Sequence, residues 1–215
     1  MDQPCESTGT ANIFEEGLRR YLTADQLEKI QARKIGIGGA GGLGSNAAMI
    51  LVRSGFKNLE ILDMDRIEPS NLNRQQYFTA EVGELKTAVT GRRLRAINPD
   101  LSLTLHTTQW TESNAETFFR NCDFVVEAFD QADFKFQFVR YYQQHAPVVI
   151  SGNGMAGLTE KKPMKVHKVG NIYLVGDGTT DSACGHPPMA PRVTACAATM
   201  AEIILDLTLG LPHPS

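Results

Sequence analysis

The sequence predicts an α/β protein with a doubly wound, mostly parallel sheet, an antiparallel extension and a final helix. Short apolar runs alternate with amphipathic segments of about 10–15 residues, which is typical of strands joined by right-handed crossover helices. A glycine-rich turn separates the first of these strands from its helix. The chain has 215 residues, of which 42% are hydrophobic, so it is long enough to bury one good core.

Residues 1–33 are predicted to form a helical preface. In TADQLEKIQA, Thr23 can cap a helix, and Leu27 and Ile30 then lie on one apolar face. The α/β core is expected to cover residues 34–157. Its predicted strands are KIGIG, NLEILDMD, LSLTLHT, DFVVEAFD and PVVISGNG, and its predicted helices are LGSNAAMILVRSG, GELKTAVTGRRLRAIN, ESNAETFFRN and QADFKFQFVRYYQQH.

Residues 158–215 have a different pattern. MKVHKVG and NIYLVGD are expected to form an antiparallel pair of strands after PVVISGNG has ended the parallel core. GTTDSACGHPPMAPR is polar and rich in glycine and proline, so we expect a loop there, and VTACAATMAEIILDLTLG is expected to be a helix. All 215 residues are expected to form a single domain.

Charge and hydropathy narrow the class of protein. The formal net charge is −3 and the pI is near 6.0, which gives no general attraction to nucleic acid or to an anionic membrane. No apolar run approaches the roughly 18 residues of a spanning helix. MDQPCESTGTANIF has no basic region followed by an apolar one, so no secretory signal is expected. We therefore expect a cytoplasmic protein.

The cysteines are too scattered for a typical zinc site. Cys5, Cys122, Cys184 and Cys196 lie far apart and form no C-x-x-C pair. No zinc and no disulfide scaffold are expected, and the thiols should be free.

The stretch KIGIGGAGGLGSN predicts an anion site. Gly39-x-Gly41-x-x-Gly44 has the spacing of the dinucleotide fingerprint, but further glycines at 36, 38 and 42 leave the register open. At such a turn, backbone N–H groups and the helix dipole favour phosphate. Asp63 ends the second strand about twenty residues on, where a carboxylate binds ribose hydroxyls. These features fit NAD and ATP equally well.

The next stretch, LDMDRIEPSNLNRQQY, favours nucleotidyl transfer. Asn71, Asn73 and Arg74 offer hydrogen-bond donors and a planar cation, which suit a leaving pyrophosphate and a charged transition state. Lys86 supplies a second cation early in the following helix. Asp130, at the end of DFVVEAFD, can hold Mg²⁺, which prefers oxygen ligands.

GGAGGLGSN, LDMDRIEPSNLNRQ, Lys86 and FDQAD resemble, in order and spacing, the ThiF/MoeB/HesA superfamily of ubiquitin-activating-enzyme-like proteins. The resemblance runs from about Lys34 through the final helix and is closest to the short ThiF type. It implies ATP-dependent adenylation of the Gly-Gly carboxylate of a small β-grasp sulfur carrier protein, in thiamine biosynthesis, with a separate sulfur donor protein. The site residues that it implies are Gly39, Gly41, Gly42, Asp63, Ser70, Asn71, Asn73, Arg74, Lys86 and, for Mg²⁺, Asp130.

The resemblance also places ACGHPPMAPRV at the family's crossover loop, before a dimer-forming helix. Cys184 lies in that loop, where some relatives carry a cysteine that joins the sulfur carrier, and His186 could act as its base. Two family features are missing: the paired zinc cysteines, and an R-Y-x-R-Q segment that donates an arginine across the dimer. Arg19 and Arg20 are the nearest candidates for that arginine. A homodimer is expected.

Three alternatives stay open from the sequence. A dehydratase that adenylates the carboxylate of a modified tRNA base shares the fold, but the net charge of −3 argues against an RNA-binding face. An NAD-dependent oxidoreductase is disfavoured by the run Asn71, Asn73, Arg74 and Gln75 beside the cofactor. A catalytically dead partner-binding module is disfavoured because Arg74, Lys86 and Asp130 are all present.

Overall fold

The computed structural model describes residues 12–156, 162–180 and 186–212, and within them the chain alternates strands and helices as predicted. In chain order the elements are α1 (Ile13–Leu18), α2 (Ala24–Ala32), β1 (Lys34–Gly38), α3 (Gly42–Arg53), β2 (Asn58–Leu62), α4 (Lys86–Ile97), β3 (Ser102–His106), β4 (Phe124–Glu127), α5 (Ala132–His145), β5 (Val148–Gly152), β6 (Lys165–Val169), β7 (Ile172–Gly176) and α6 (Ala190–Leu209). No helix of these residues has the length and apolar character to cross a membrane.

The strands form one seven-stranded sheet in the order β3-β2-β1-β4-β5-β7-β6. Neighbouring strands are parallel except β6 and β7, which pair in the antiparallel sense. The fold class and the antiparallel pair are therefore confirmed. However, β7 also pairs with β5 in the parallel sense, so the parallel part extends one strand beyond the expected last strand, PVVISGNG.

Helices cover both faces of the sheet, which is what a doubly wound sheet requires. Alternate side chains of β4 show the two cores: Phe124 and Val126 pack into one apolar cluster with α3 and α6, whereas Val125 packs into the other with α5. The second cluster is aromatic, with Trp110, Phe138 and neighbouring rings in edge-on or tilted contact.

Of two local predictions, the capped helix α2 is confirmed and the helix ESNAETFFRN is not. Thr23 caps α2 in a capping box with Gln26, and Leu27 and Ile30 are buried, as expected. The predicted helix ESNAETFFRN is wrong: only Ala115–Thr117 forms a short 3₁₀ turn. Phe119 and Asn121 have positive φ angles of 57° and 58°, which an α-helix does not allow. This backbone lets the neighbouring rings of Phe118 and Phe119 both enter the aromatic core.

Helix α6 packs inside the chain. Its buried residues, among them Cys196 and Met200, contribute to the same core as α3, so α6 needs no second chain to cover that face. Burial raises the pKa of the Cys196 thiol to about 12, as expected for a structural cysteine. The homodimer therefore stays a prediction, for which α5 offers an exposed aromatic side chain, Phe136, at 68% exposure.

Candidate active site

A cavity of 590 Å³ opens at the carboxyl ends of the strands. It lies where the strand order reverses, since β1 leads to β2 on one side and its neighbour β4 leads to β5 on the other. Its inner wall consists of residues 39, 41–43, 63, 65, 74, 75 and 86, and its outer wall of residues 152–156 and 178–180. Residues 128–130 and Lys135 form the floor between these walls, and Pro188 and Val193 complete the lining.

The glycine turn of the inner wall has the geometry of an anion site. Gly39 has a positive φ of 98°, and Gly41 is the N-cap of α3. A Cβ at Gly44 would overlap the carbonyl oxygen of Gly39, so the turn can close only without a side chain there. The N-terminus of α3 therefore points its free N–H groups and its positive dipole end at the cavity.

The structure resolves the ambiguous glycine register. A Cβ at Gly36 would lie 2.5 Å from Cδ1 of Phe119, and one at Gly38 would lie 2.8 Å from the ring of Phe138. These two glycines make room for aromatic rings in the core beneath β1. The fingerprint spacing Gly39-x-Gly41-x-x-Gly44 is therefore the one that forms the turn.

Asp63 joins the glycine turn to the end of β2. Its carboxylate accepts hydrogen bonds from the backbone N–H groups of Ala40 at 2.6 Å and Asp65 at 2.7 Å. Burial raises the pKa of Asp63, and the positive charge of Lys86 opposes that shift. The side chain lines the cavity where a ribose was predicted to bind.

Lys86 is the first residue of α4 and reaches the cavity as predicted. Its Nζ lies 2.8 Å from Oδ2 of Asp65, and its side chain is only 8% exposed, against 54% for Asp65. The sequence prediction missed Asp65, although it lies two residues after Asp63 in the quoted motif. A largely buried ammonium with one exposed partner remains able to bind an incoming anion.

Arg74 also lines the cavity, and neighbouring polar groups fix its position. Its Nη1 donates to the carbonyl of Ser70 at 2.9 Å and to Oδ1 of Asn73 at 2.8 Å. The buried amide of Asn46 donates to the carbonyls of Gly42 at 2.6 Å and Arg74 at 2.8 Å. The arginine segment is thereby attached to the first turn of α3.

Three predicted site residues lie outside the cavity lining. Ser70 is exposed, Asn71 Oδ1 accepts from the N–H of Glu68 at 3.1 Å, and Asn73 Nδ2 donates to the carbonyl of Pro188 at 3.0 Å. In this structure they shape the 69–75 segment and hold Arg74. Their predicted contacts with a nucleotide stay predictions.

Gln75 belongs to the run of Asn, Arg and Gln that favours nucleotidyl transfer, and it lines the cavity although no role was assigned to it. It is 8% exposed, and within the described residues its Oε1 is buried without a hydrogen-bond partner. Its Nε2 would lie 3.8 Å from a Cβ at Gly41, beside the glycine turn. This oxygen therefore keeps the capacity to accept a hydrogen bond from a donor group in the cavity.

The floor contains a buried ion pair that the sequence prediction also missed. Lys135 Nζ lies 2.5 Å from Oε2 of Glu127 and donates to the carbonyl of Gly152 at 2.9 Å. The fully buried Glu127 also accepts from the hydroxyl of Ser151 at 2.6 Å and the N–H of Phe129 at 2.8 Å. The pair ties the ends of β4 and β5 to the first turns of α5.

Of the remaining predicted site residues that the structure describes, only Asp130 is found at the cavity. Asp130 lines the cavity, is exposed, and makes no hydrogen bond or ion pair with the described part of the chain. Arg19 lines a separate groove of 410 Å³ between α1 and α2, and neither Arg19 nor Arg20 reaches the cavity of their own chain. Cys184 lies outside the described residues.

Comparison with known proteins identifies the family. The ThiF family profile matches residues 15–214, nearly the whole chain. The chain belongs to the ThiF family. Among curated ThiF-like relatives, a sulfur carrier protein adenylyltransferase of Thermus thermophilus is 38% identical over 186 residues, which are 85% of this chain and 67% of that protein. A tRNA threonylcarbamoyladenosine dehydratase of Haemophilus influenzae is 30% identical over 152 residues, which are 70% of this chain but only 58% of that protein.

Solved structures confirm the ThiF-like fold. A crystal structure of the E. coli tRNA N6-threonylcarbamoyladenosine dehydratase in complex with ATP has a TM-score of 0.78 at 23% identity, covering 92% of this chain and 93% of that one. E. coli MccB with ATP has a TM-score of 0.71 at 21% identity, covering 88% of this chain and 60% of that one.

Proposed function

We propose that this ThiF-family chain is an ATP-dependent adenylyltransferase that activates the C-terminal Gly-Gly carboxylate of a small sulfur carrier protein, for thiamine biosynthesis. One observation carries the proposal: the α3 N-terminus, Lys86 and Arg74 all face one cavity. The relative with 38% identity is named for adenylation of a sulfur carrier protein, which supports the same reaction here.

In the proposed reaction a carrier carboxylate oxygen attacks the α-phosphorus of ATP, the bond to the bridging oxygen of pyrophosphate breaks, and an acyl-adenylate and pyrophosphate result. Negative charge grows on the phosphate oxygens. Arg74 and Lys86 would stabilise it because their positions are fixed before the reaction. Asp63 would bind the ribose, and Gln75 Oε1 would accept a hydrogen bond from the nucleotide. Most of the rate enhancement would come from positioning and charge stabilisation.

The cavity fits a magnesium ion at its floor. Asp130 presents an exposed carboxylate that has no partner among the described residues, and Mg²⁺ is commonly bound by one or two carboxylates together with substrate phosphates. Asp130 would hold the ion, which would neutralise phosphate charge when bound.

A second candidate is adenylation of a modified tRNA base, which the Haemophilus relative favours by its name. The net charge of −3 opposes it, since RNA binding requires a basic face.

The further parts of the sulfur-carrier proposal are a homodimer, a separate sulfur donor protein and sulfur transfer through Cys184. Light scattering tests the first, and Cys184→Ser tests the last: it should still form the acyl-adenylate but yield no thiocarboxylate.

Pyrophosphate–ATP exchange tests the adenylation and separates the candidates. The protein would be assayed with purified Gly-Gly-ended carriers, with the same carriers lacking the last glycine, and with tRNA. We expect exchange with at least one intact carrier and none with its truncated form. Exchange with tRNA alone would establish the dehydratase alternative, and NAD binding in calorimetry without ATP binding would reject both.

A further inference from the structure

The outer wall is a single hydrogen-bonded unit made from two loops that follow different strands. Asn153 N–H donates to the carbonyl of Val175 at 2.7 Å, Asp177 N–H to the carbonyl of Gly154 at 2.8 Å, and Gly178 N–H to the carbonyl of Asn153 at 3.0 Å. The loop after β5 and the loop after β7 therefore cannot shift independently.

The side chain of Asp177 fixes the loop after β7 in this unit through hydrogen bonds. Its fully buried carboxylate accepts from the N–H groups of Thr179 at 2.9 Å and Thr180 at 2.8 Å, and from the Thr180 hydroxyl at 2.6 Å. Burial alone would raise the pKa of Asp177, but the hydrogen bonds from Thr180 and Thr179 outweigh it and lower the pKa to about 2. The ionised carboxylate holds both threonines in the cavity lining.

Arg192 attaches the unit to α6. From the first turn of that helix, its Nη2 donates to Oδ2 of Asp177 at 2.6 Å and its Nη1 to the carbonyl of Lys162 at 3.1 Å. The next residue, Val193, lines the cavity. One guanidinium therefore connects three parts of the chain: α6, the segment before β6 and the outer wall.

A contribution to folding stability does not by itself explain why Arg192 is an arginine. Its side chain is 13% exposed, and its Nε is buried without a partner in the described residues. A buried ion pair with an unsatisfied donor is commonly no more stable than an apolar replacement of the same size. What the pair does supply is a fixed geometry for Thr179 and Thr180.

We propose that Arg192 is a positioning residue for the acceptor half of the reaction: through Asp177 it fixes the outer wall that receives the carboxylate substrate. The proposal rests on the proposed adenylation. The inner wall holds the glycine turn, Asp63 and the two cations Lys86 and Arg74, so in the proposed reaction the nucleotide would occupy that side. An acceptor attacking the α-phosphorus must approach from the opposite side of the cavity, which is the outer wall.

Arg192→Gln tests this inference, because it removes the charge and the fork geometry while keeping a polar side chain. Arg140→Gln is the matched control, since Arg140 forms an exposed ion pair with Glu112 away from the cavity. Amide hydrogen exchange at Thr179 and Thr180 should accelerate about tenfold or more in Arg192→Gln and stay unchanged in Arg140→Gln. The KM for a Gly-Gly-ended carrier should rise about tenfold or more, with ATP affinity unchanged. Arg192→Lys can hydrogen-bond only one of the two partners, so its amide exchange rates and its acceptor KM should lie between those of wild type and Arg192→Gln.

Three results would overturn the inference: unchanged amide exchange at both threonines, an unchanged acceptor KM, or an equal loss of ATP affinity and acceptor affinity. If the wild-type protein exchanges only with tRNA, tRNA replaces the carrier as the acceptor probe and the same criteria hold. If it exchanges with neither, the proposed function and the acceptor role both fail. The amide measurement then decides separately whether Arg192 fixes the wall.

Discussion

The two walls of the cavity use buried polar groups in opposite ways. On the inner wall some capacity is left for a ligand: Gln75 Oε1 has no partner within the described residues, and Lys86 is paired with a half-exposed carboxylate. On the outer wall the Asp177 carboxylate is saturated by Thr179, Thr180 and Arg192. The polar groups of the inner wall therefore keep the capacity to bind a ligand, whereas those of the outer wall fix its shape. Variants of each wall should accordingly fail in different assays.

The largest effect is expected from the floor that joins the walls. Lys135→Met leaves Glu127 charged and fully buried without its cation. The free energy of unfolding should fall by about 3 kcal/mol, the lower end of the range for a broken buried pair, because the Lys135 side chain is 26% exposed. Urea unfolding measures this. Arg140→Met, which breaks an exposed pair on the same helix, should cost less than about 1 kcal/mol. Equal costs for the two variants would contradict a structural role for the Lys135–Glu127 pair.

An inner-wall variant should lose activity and keep its stability. Arg74→Ala removes a fixed cation from the proposed phosphate site, so pyrophosphate exchange should fall about a hundredfold or more, which is about 2.7 kcal/mol of transition-state stabilisation. On the floor of the cavity, Asp130→Asn should lower exchange similarly through the loss of the proposed Mg²⁺. Near-normal exchange in either variant, with circular dichroism confirming the fold, would remove that residue from the mechanism.

A glycine in each wall gives a direct comparison. Added Cβ atoms would overlap the Gly39 carbonyl at Gly44 and the Asp177 carboxylate at Gly154. Each alanine variant should lose about 1–3 kcal/mol of stability. Gly44→Ala should weaken ATP binding in calorimetry, whereas Gly154→Ala should raise the acceptor KM and leave ATP binding intact. Gly17→Ala in α1, where the Cβ meets nothing within 4 Å, is the control. Identical effects of Gly44→Ala and Gly154→Ala on ATP binding would erase the distinction between the walls.

The smallest effect concerns acid stability. The pKa of Asp177 is lowered from its usual 3.8 to about 2, so its contribution to stability is complete above the unfolded value and is lost as the pH falls towards about 2. Asp177→Asn should therefore be less stable than wild type at neutral pH, and the difference should shrink between about pH 4 and about pH 2. Urea unfolding across that interval checks the sign. A difference that grows on acidification would show that Asp177 is not stabilised as the anion.

These contrasts also explain what could be predicted from the sequence. Strands such as β1 are short apolar runs bounded by turn residues, and Asp63 and Lys86 follow them at family spacing, so both were found. The apolar residues around Phe118 and Phe119 have the spacing of a helix, but both rings pack into the aromatic core. The backbone there has positive φ angles instead of helical ones, which the sequence pattern does not reveal. Arg192 and Asp177 were missed because neither carries a local signal. Their relation exists only once α6 packs beside the end of β7.

The sheet order has a consequence for the assembly of the chain. Lys34, at the start of β1, hydrogen-bonds Asp123 beside β4, which is 89 residues away, and Asn46 of α3 meets Thr194 of α6 across 148 residues. The central pair β1–β4 can form only after the chain has passed through β2 and β3, and the apolar side of α3 stays uncovered until α6 is present. Such non-local contacts slow folding and leave apolar surface exposed in intermediates. A nascent chain that has not yet released α6 therefore presents the uncovered side of α3, and chaperones would bind it during that interval.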